Sequence, residues 1–254
     1  MTVTRTQIEK MLAERLEFLI GVGHDMRAPL TGIAGFAAVL AELDSVSCDP
    51  TAAEAVVYIR REASRLVELL NQLLDFGQLE RAEGGQTVPP LELEALDLAR
   101  LARQALEPWV VLNQQLSFEL VSSGEVVIDG DFLKLHRVMA NLLDNAVRHS
   151  PPGGSILIEV VGKDEVAELS VSDEGGGVPE GERRRIFERF VRLNGGGGHG
   201  AGIGLYIVKG LVAAHGGEVY VETAPAGSGA RFVVVLPTRA GREPELPFEV
   251  STGS

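Results

Sequence analysis

The chain of 254 residues carries a formal net charge of −13, with 45% hydrophobic and 23% charged positions, which excludes wholesale disorder and a collagen-like fibre and leaves room for two small domains. The acidic excess excludes a general nucleic-acid binder, because phosphate neutralisation needs a basic face and no Lys/Arg run is longer than Arg183-Arg184-Arg185. Cys48 is the single cysteine, no Cys/His cluster has zinc spacing, MTVTRTQIEK has no signal-peptide core and no apolar run approaches the roughly 20 residues of a membrane span, so a soluble chain in a reducing, cytoplasmic compartment is expected.

From Leu16 onward, Leu19, Gly23, Met26, Leu30, Ile33, Ala37 and Leu40 recur in steps of three and four, the seam of a helix packed on other helices. Inside that run stands GHDMRAPL, 23–30, with a histidine, an acid, an arginine and a helix-breaking proline. His24 falls one residue past the seam position Gly23, so its ring is expected to project from the bundle surface. Pro29 removes an amide and crowds the carbonyl of Asp25, so a bend is expected one turn beyond the histidine. The turn DSVSCDP, 44–50, offers Asp49 as an N-cap and Pro50 at the first helical position. Val56, Ile59, Ala63, Leu66, Leu70, Leu73 and Gly77 then repeat the same steps, so residues 5–80 read as a helical hairpin. Each helix has a second apolar flank, with Ile20, Phe36, Val67, Leu69 and Leu74, that two helices cannot cover between themselves; a homodimeric four-helix bundle buries it.

AEGGQTVPP, 82–90, breaks the periodicity and marks a linker between a helical domain at 1–83 and a second domain at 91–238. There β-type runs at 116–121, 155–161, 166–173, 217–223 and 230–237 alternate with helical patterns at 96–113, 131–149 and 203–215. The expected class is α+β: a mixed sheet with helices on one face, following the dimeric bundle. The tail, 239–254, reads as unstructured.

Three elements of the second domain carry chemistry. On the helix 131–149, Asn141, Asn145, Arg148 and His149 share one polar face, opposite Met139, Leu142, Leu143, Ala146 and Val147. A single such Asn reads equally as a solvated position; two, one turn apart, in so poor a helix former need a further reason. SVSDEGGGVP, 170–179, ends a strand at Asp173 and enters Gly175, Gly176 and Gly177, either a plain turn or a place where backbone approaches a ligand while the carboxylate accepts from an exocyclic amine. GGGGHGAGIGLYIVKGLV, 195–212, is a glycine-rich loop opening into a helix, and free amides at a helix N-terminus suit phosphate, although a flexible surface loop has the same composition. Seven glycines between Gly195 and Gly204 predict a loop that orders when nucleotide binds.

In order, Asn-x3-Asn, Asp-x-Gly-x-Gly and Gly-x-Gly-x-Gly-Leu resemble the ATP-binding domain of sensor histidine kinases, in the superfamily shared with type II topoisomerases, mismatch-repair ATPases and heat-shock chaperone ATPases. NLLDNAVRHS resembles the family's asparagine box, DEGGGVP its first glycine box, IFERFVR its phenylalanine box, GHGAGIGL its second glycine box, and GHDMRAPL the phospho-accepting histidine box. The resemblance spans residues 10–238.

It implies ATP between the 131–149 helix and the loop 191–202, contacting Asn141, Asn145, Arg148, His149, Asp173, Gly175, Gly177, Gly200, Gly202, Gly204 and Leu205, with adenine at Asp173 and Mg²⁺ held through Asn145 and the phosphates. Arg148 stands where the family usually has a lysine, a planar fork in place of a point charge. The implied reaction is γ-phosphoryl transfer to neutral His24, with Asp25 stabilising the imidazolium, and then to an aspartate of a response-regulator receiver domain. The chain then reads as a sensor kinase's catalytic core, of the kind that forms the soluble portion of a longer, membrane-bound sensor. An ATPase clamp needs a catalytic acid where Asn141 stands, and a silent dimeric scaffold needs no intact nucleotide boxes. One departure stands out: Ala28 occupies the position where the family's phosphatase-competent members carry Thr or Asn.

Overall fold

The computed structural model describes Met26, 30–41, Leu43, 49–85, 89–193 and 202–239. The chain divides into two compact units, Met1–Pro89 and Pro90–Ser254. His24, Asp25, Ala28, Pro29 and Gly200, the loop 194–201 and the tail beyond Arg239 lie outside the described residues.

Among the described residues, the first unit contains α1, residues 30–41, and α2, Pro50–Glu83. As expected, Asp49 caps α2, its carboxylate accepting from the amides of Thr51 at 2.9 Å and Ala52 at 3.3 Å, with Pro50 in the first turn where its missing N–H costs nothing. The glycine pair after Glu83 stops it: Gly84 donates to the Glu80 carbonyl, and Gly85 adopts the left-handed conformation at φ 72°. Ala37, Val56, Ala63 and Leu74 are buried. Ile33, Val39, Leu40, Tyr58, Ile59 and Leu66 stay exposed, and Phe36 most of all at 76%. No described helix is long and apolar enough to cross a membrane.

The second unit is a five-stranded mixed sheet with helices on one face. Its elements are β1 (Glu94–Asp97), α3 (Leu98–Leu112), β2 (Ser117–Ser122), β3 (Val127–Gly130), α4 (Phe132–His149), β4 (Ser155–Gly162), β5 (Val166–Ser172), α5 (Gly204–Ala214), β6 (Glu218–Thr223) and β7 (Ala230–Pro237). Strand order is β2-β4-β5-β7-β6, with only β2 and β4 parallel. Alternation creates the two faces: Ile156, Ile158 and Val160 of β4 are wholly buried, while Leu157 and Glu159 between them are partly exposed. The buried side carries Phe232 and Leu169 from the sheet and Met139, Leu142, Leu143 and Ile207 from the helices.

β1 and β3 form a separate antiparallel pair, Glu94 opposite Gly130 and Asp97 opposite Val127. Four residues each are too short to show the two-residue periodicity by which the other strands were expected. Gly130 makes room for the first turn of α4, since a Cβ there would lie 2.5 Å from the end of the Leu135 side chain and force it to shift.

One buried side chain joins the two site-bearing helices. His215, 2% exposed just past α5, donates from Nδ1 to the Leu211 carbonyl at 2.7 Å and accepts at Nε2 from the Asp131 amide at 3.0 Å. Since a carbonyl only accepts and an amide only donates, this fixes the neutral Nδ1–H tautomer. Asp131 in turn caps α4, one carboxylate oxygen accepting from the Lys134 amide and the other from the Glu92 amide.

Candidate active site

The polar face of α4 forms one wall. Asn141 is 7% exposed and its Nδ2 donates to the Arg137 carbonyl at 2.9 Å, which aims Oδ1 at α5: a Cβ on Gly204 would stand 2.7 Å from that oxygen. Glycine at the start of α5 thus gives the Asn141 side chain the room it occupies. Asn145 lies partly buried one turn further along α4. Arg148 and His149 are exposed at its C-terminal end. The Arg148 guanidinium pairs with the carboxylate of Asp144, four residues back on the same helix. Asp144 was not expected in the site, although acid and base four apart on one helix face is a readable signal.

Asp173 forms the second wall. At the end of β5 and 3% exposed, it accepts on Oδ1 from the amides of Gly175 at 2.8 Å and Ala230 at 3.2 Å. No described residue donates to Oδ2. Burial pushes the carboxyl above its usual range, opposed by the two backbone hydrogen bonds and by the nearby His149. The same loop packs on the end of α4, where a Cβ on Gly175 would come 2.5 Å from the His149 carbonyl.

Two left-handed glycines make this corner possible. Gly177, φ 69°, comes close to the backbone of Gly229, and Gly229, φ 89°, lies so near Asp173 that a Cβ would stand 1.8 Å from its carbonyl oxygen. Gly229 and Ala230 therefore belong to the Asp173 site. The sequence held the signal as Gly227-Ser228-Gly229 before β7, but only the β5–β7 pairing brings that turn to Asp173.

The third wall is the start of α5 with the foot of the loop before it. Phe190, at φ 64°, donates its N–H to the Gly202 carbonyl at 2.9 Å, and Gly202, at φ 69°, packs on the Phe190 backbone, so both flanks of the loop meet at one point. Ile203 makes no side-chain cap bond to α5, and Leu205 is partly buried in the first turn of that helix. The structure thus gathers Asn141, Asn145, Arg148, His149, Asp173, Gly175, Gly177, Gly202, Gly204 and Leu205 around the ends of α4 and α5.

No group of three or more His, Cys, Asp or Glu residues converges among the described residues as a protein-only metal cage would. An ion that keeps most of its coordination on phosphates and water needs only one or two protein oxygens, and the side-chain oxygen of the partly buried Asn145 can be one of them.

The profile described as "Histidine kinase-, DNA gyrase B-, and HSP90-like ATPase" matches residues 130–240, and the "His Kinase A (phospho-acceptor) domain" matches residues 14–82. A solved mycobacterial sensor histidine kinase, MprB, is 35% identical with a TM-score of 0.52, over 57% of this chain and 97% of that one. This chain belongs to the histidine kinases. Full-length ShkA, solved in complex with AMPPNP, aligns at TM-score 0.63 and 32% identity over 87% of this chain and 45% of that one. The alginate biosynthesis sensor protein KinB of Pseudomonas aeruginosa is 34% identical over 92% of this chain, and the histidine-protein kinase/phosphatase MprB of Mycobacterium sp. (strain KMS) is 37% identical over 85%. The present histidine kinase sequence spans 39% and 42% of the length of those two relatives.

Proposed function

We propose that this chain is the catalytic portion of a two-component sensor, phosphorylating its own His24 from ATP and passing the phosphoryl group to an aspartate of a response-regulator receiver domain. The observation that carries the ATP reading is Asp173. Two backbone amides saturate Oδ1 and hold the carboxylate still, while Oδ2 is left as an acceptor for the exocyclic amine of adenine. The AMPPNP in the ShkA complex supports the same reading.

The chain's own residues supply binding and orientation. The α5 amides and Arg148 face the phosphates, Asn141 holds Gly204 in place, and Asn145 presents an amide oxygen to Mg²⁺, which when bound neutralises phosphate charge. In the transfer an imidazole nitrogen of neutral His24 forms a bond to the γ-phosphorus as the bond to the ADP oxygen breaks. Asp25 accepts a hydrogen bond from the other ring nitrogen and stabilises the positive charge that develops. The domain division follows the same chemistry: the acceptor lies in 1–83, the nucleotide site in 91–238, and 239–254 is a tail. A second copy covers the exposed flank of the helical unit around Phe36, giving a homodimer.

The test is incubation with γ-labelled ATP followed by acid and alkali. Acid-labile, alkali-stable label on wild type is expected. Absence of label in protein that still binds AMPPNP would indicate a scaffold and overturn the kinase reading.

A further inference from the structure

Resting on the nucleotide-site reading above, we infer that Asp144 is a positioning residue that holds Arg148 in reserve and sets how tightly the site binds phosphates. Both side chains project from the polar face of α4 that carries Asn141 and Asn145, and they are joined as an i,i+4 ion pair. They are 48% and 41% exposed, so the pair is wet and exchangeable and not a buried structural bridge. Arg148 is the cation at the C-terminal end of that face, and its guanidinium fork fits a phosphate as well as a carboxylate. Binding a polyphosphate therefore exchanges one acidic partner for another.

An exposed i,i+4 pair is weak, so the exchange is readily reversible and its effect on affinity is small but measurable. Asp144 lowers affinity by occupying Arg148, which keeps the site from retaining product nucleotide. The device is local to one helix turn and needs no movement of the backbone.

The experiment measures dissociation constants of AMPPNP and of adenosine by titration calorimetry, in EDTA and in Mg²⁺, for wild type, Asp144→Asn, Arg148→Ala and the double variant. Circular dichroism checks that each is folded. The exchange predicts that Asp144→Asn tightens AMPPNP about twofold in EDTA, a size set by the pair that is lost. Adenosine, which has no phosphate, should not respond. The gain must also disappear in the Arg148→Ala background.

Persistence of the gain without Arg148 would show that Asp144 acts by plain repulsion of phosphate and would overturn the inference. Weaker AMPPNP binding by Asp144→Asn confined to Mg²⁺ would place Asp144 toward the cation, with the same consequence. An unchanged constant in Asp144→Asn sinks the exchange alone. Failure of wild type to bind AMPPNP at all sinks the underlying nucleotide reading.

Discussion

The helical unit and the α/β unit solve the same problem differently. The α/β unit closes its own core, with Phe232, Leu142, Ile156 and Ile207 no more than 1% exposed within one chain. The helical unit leaves a line of apolar side chains from Ile33 to Leu66 facing solvent. A sheet covered on one face by helices buries the apolar sides of both layers against each other within one chain, whereas two helices have a flank to spare. The contrast matches the proposed division of labour: a nucleotide site in a unit that closes its own core, and a phospho-acceptor in a unit whose apolar flank is left for a second copy.

The largest expected effect tests whether the two functions separate along that line. His24→Gln should lose all stable label while AMPPNP affinity stays at the wild-type value in calorimetry; loss of affinity would join what the comparison separates. Next, Phe36→Asp places a charge on the exposed flank of both copies. Removing that burial twice should weaken self-association by at least on the order of 10²-fold in sedimentation equilibrium, with the α/β unit's nucleotide affinity unchanged.

A third experiment sharpens the role of the helical unit. Ala28 offers no hydrogen bond to a water attacking a phosphorylated receiver, so phosphatase activity should be weak, although the relative MprB is named a kinase/phosphatase. Ala28→Thr should raise phosphate release from purified phospho-regulator, with ADP and Mg²⁺ present, by up to about 10²-fold. Rapid release by wild type with no gain in the variant would end that argument.

The smallest effect concerns the α/β unit alone. Asp173→Asn keeps an acceptor for the Gly175 and Ala230 amides but turns the open position into a donor facing the adenine amine. Affinity for AMPPNP should fall about tenfold with the fold intact. Because burial raises the Asp173 carboxyl, its protonation on acidification begins above the ordinary carboxylate range. Wild-type adenosine affinity should therefore fall as pH drops through that raised value, and the Asn variant should be flat. The stability sign is opposite. The ionised form is the disfavoured one in the native state, so this group costs stability at neutral pH and the cost vanishes below its unfolded value.

Hydrophobic periodicity alone gave the α+β class, the five sheet strands and the three helices of the second unit, because runs of six or more residues carry a clear two- or three-to-four-residue signal. The Asp49 cap was legible for the same local reason. What no window of sequence could hold was pairing at a distance. The short β1–β3 ladder, the His215–Asp131 joint between α5 and α4, and the approach of Gly229 to Asp173 all link residues dozens of positions apart. The second unit's tertiary structure decides those contacts, because a carboxylate finds backbone donors, and a helix its neighbour, only after the sheet has closed.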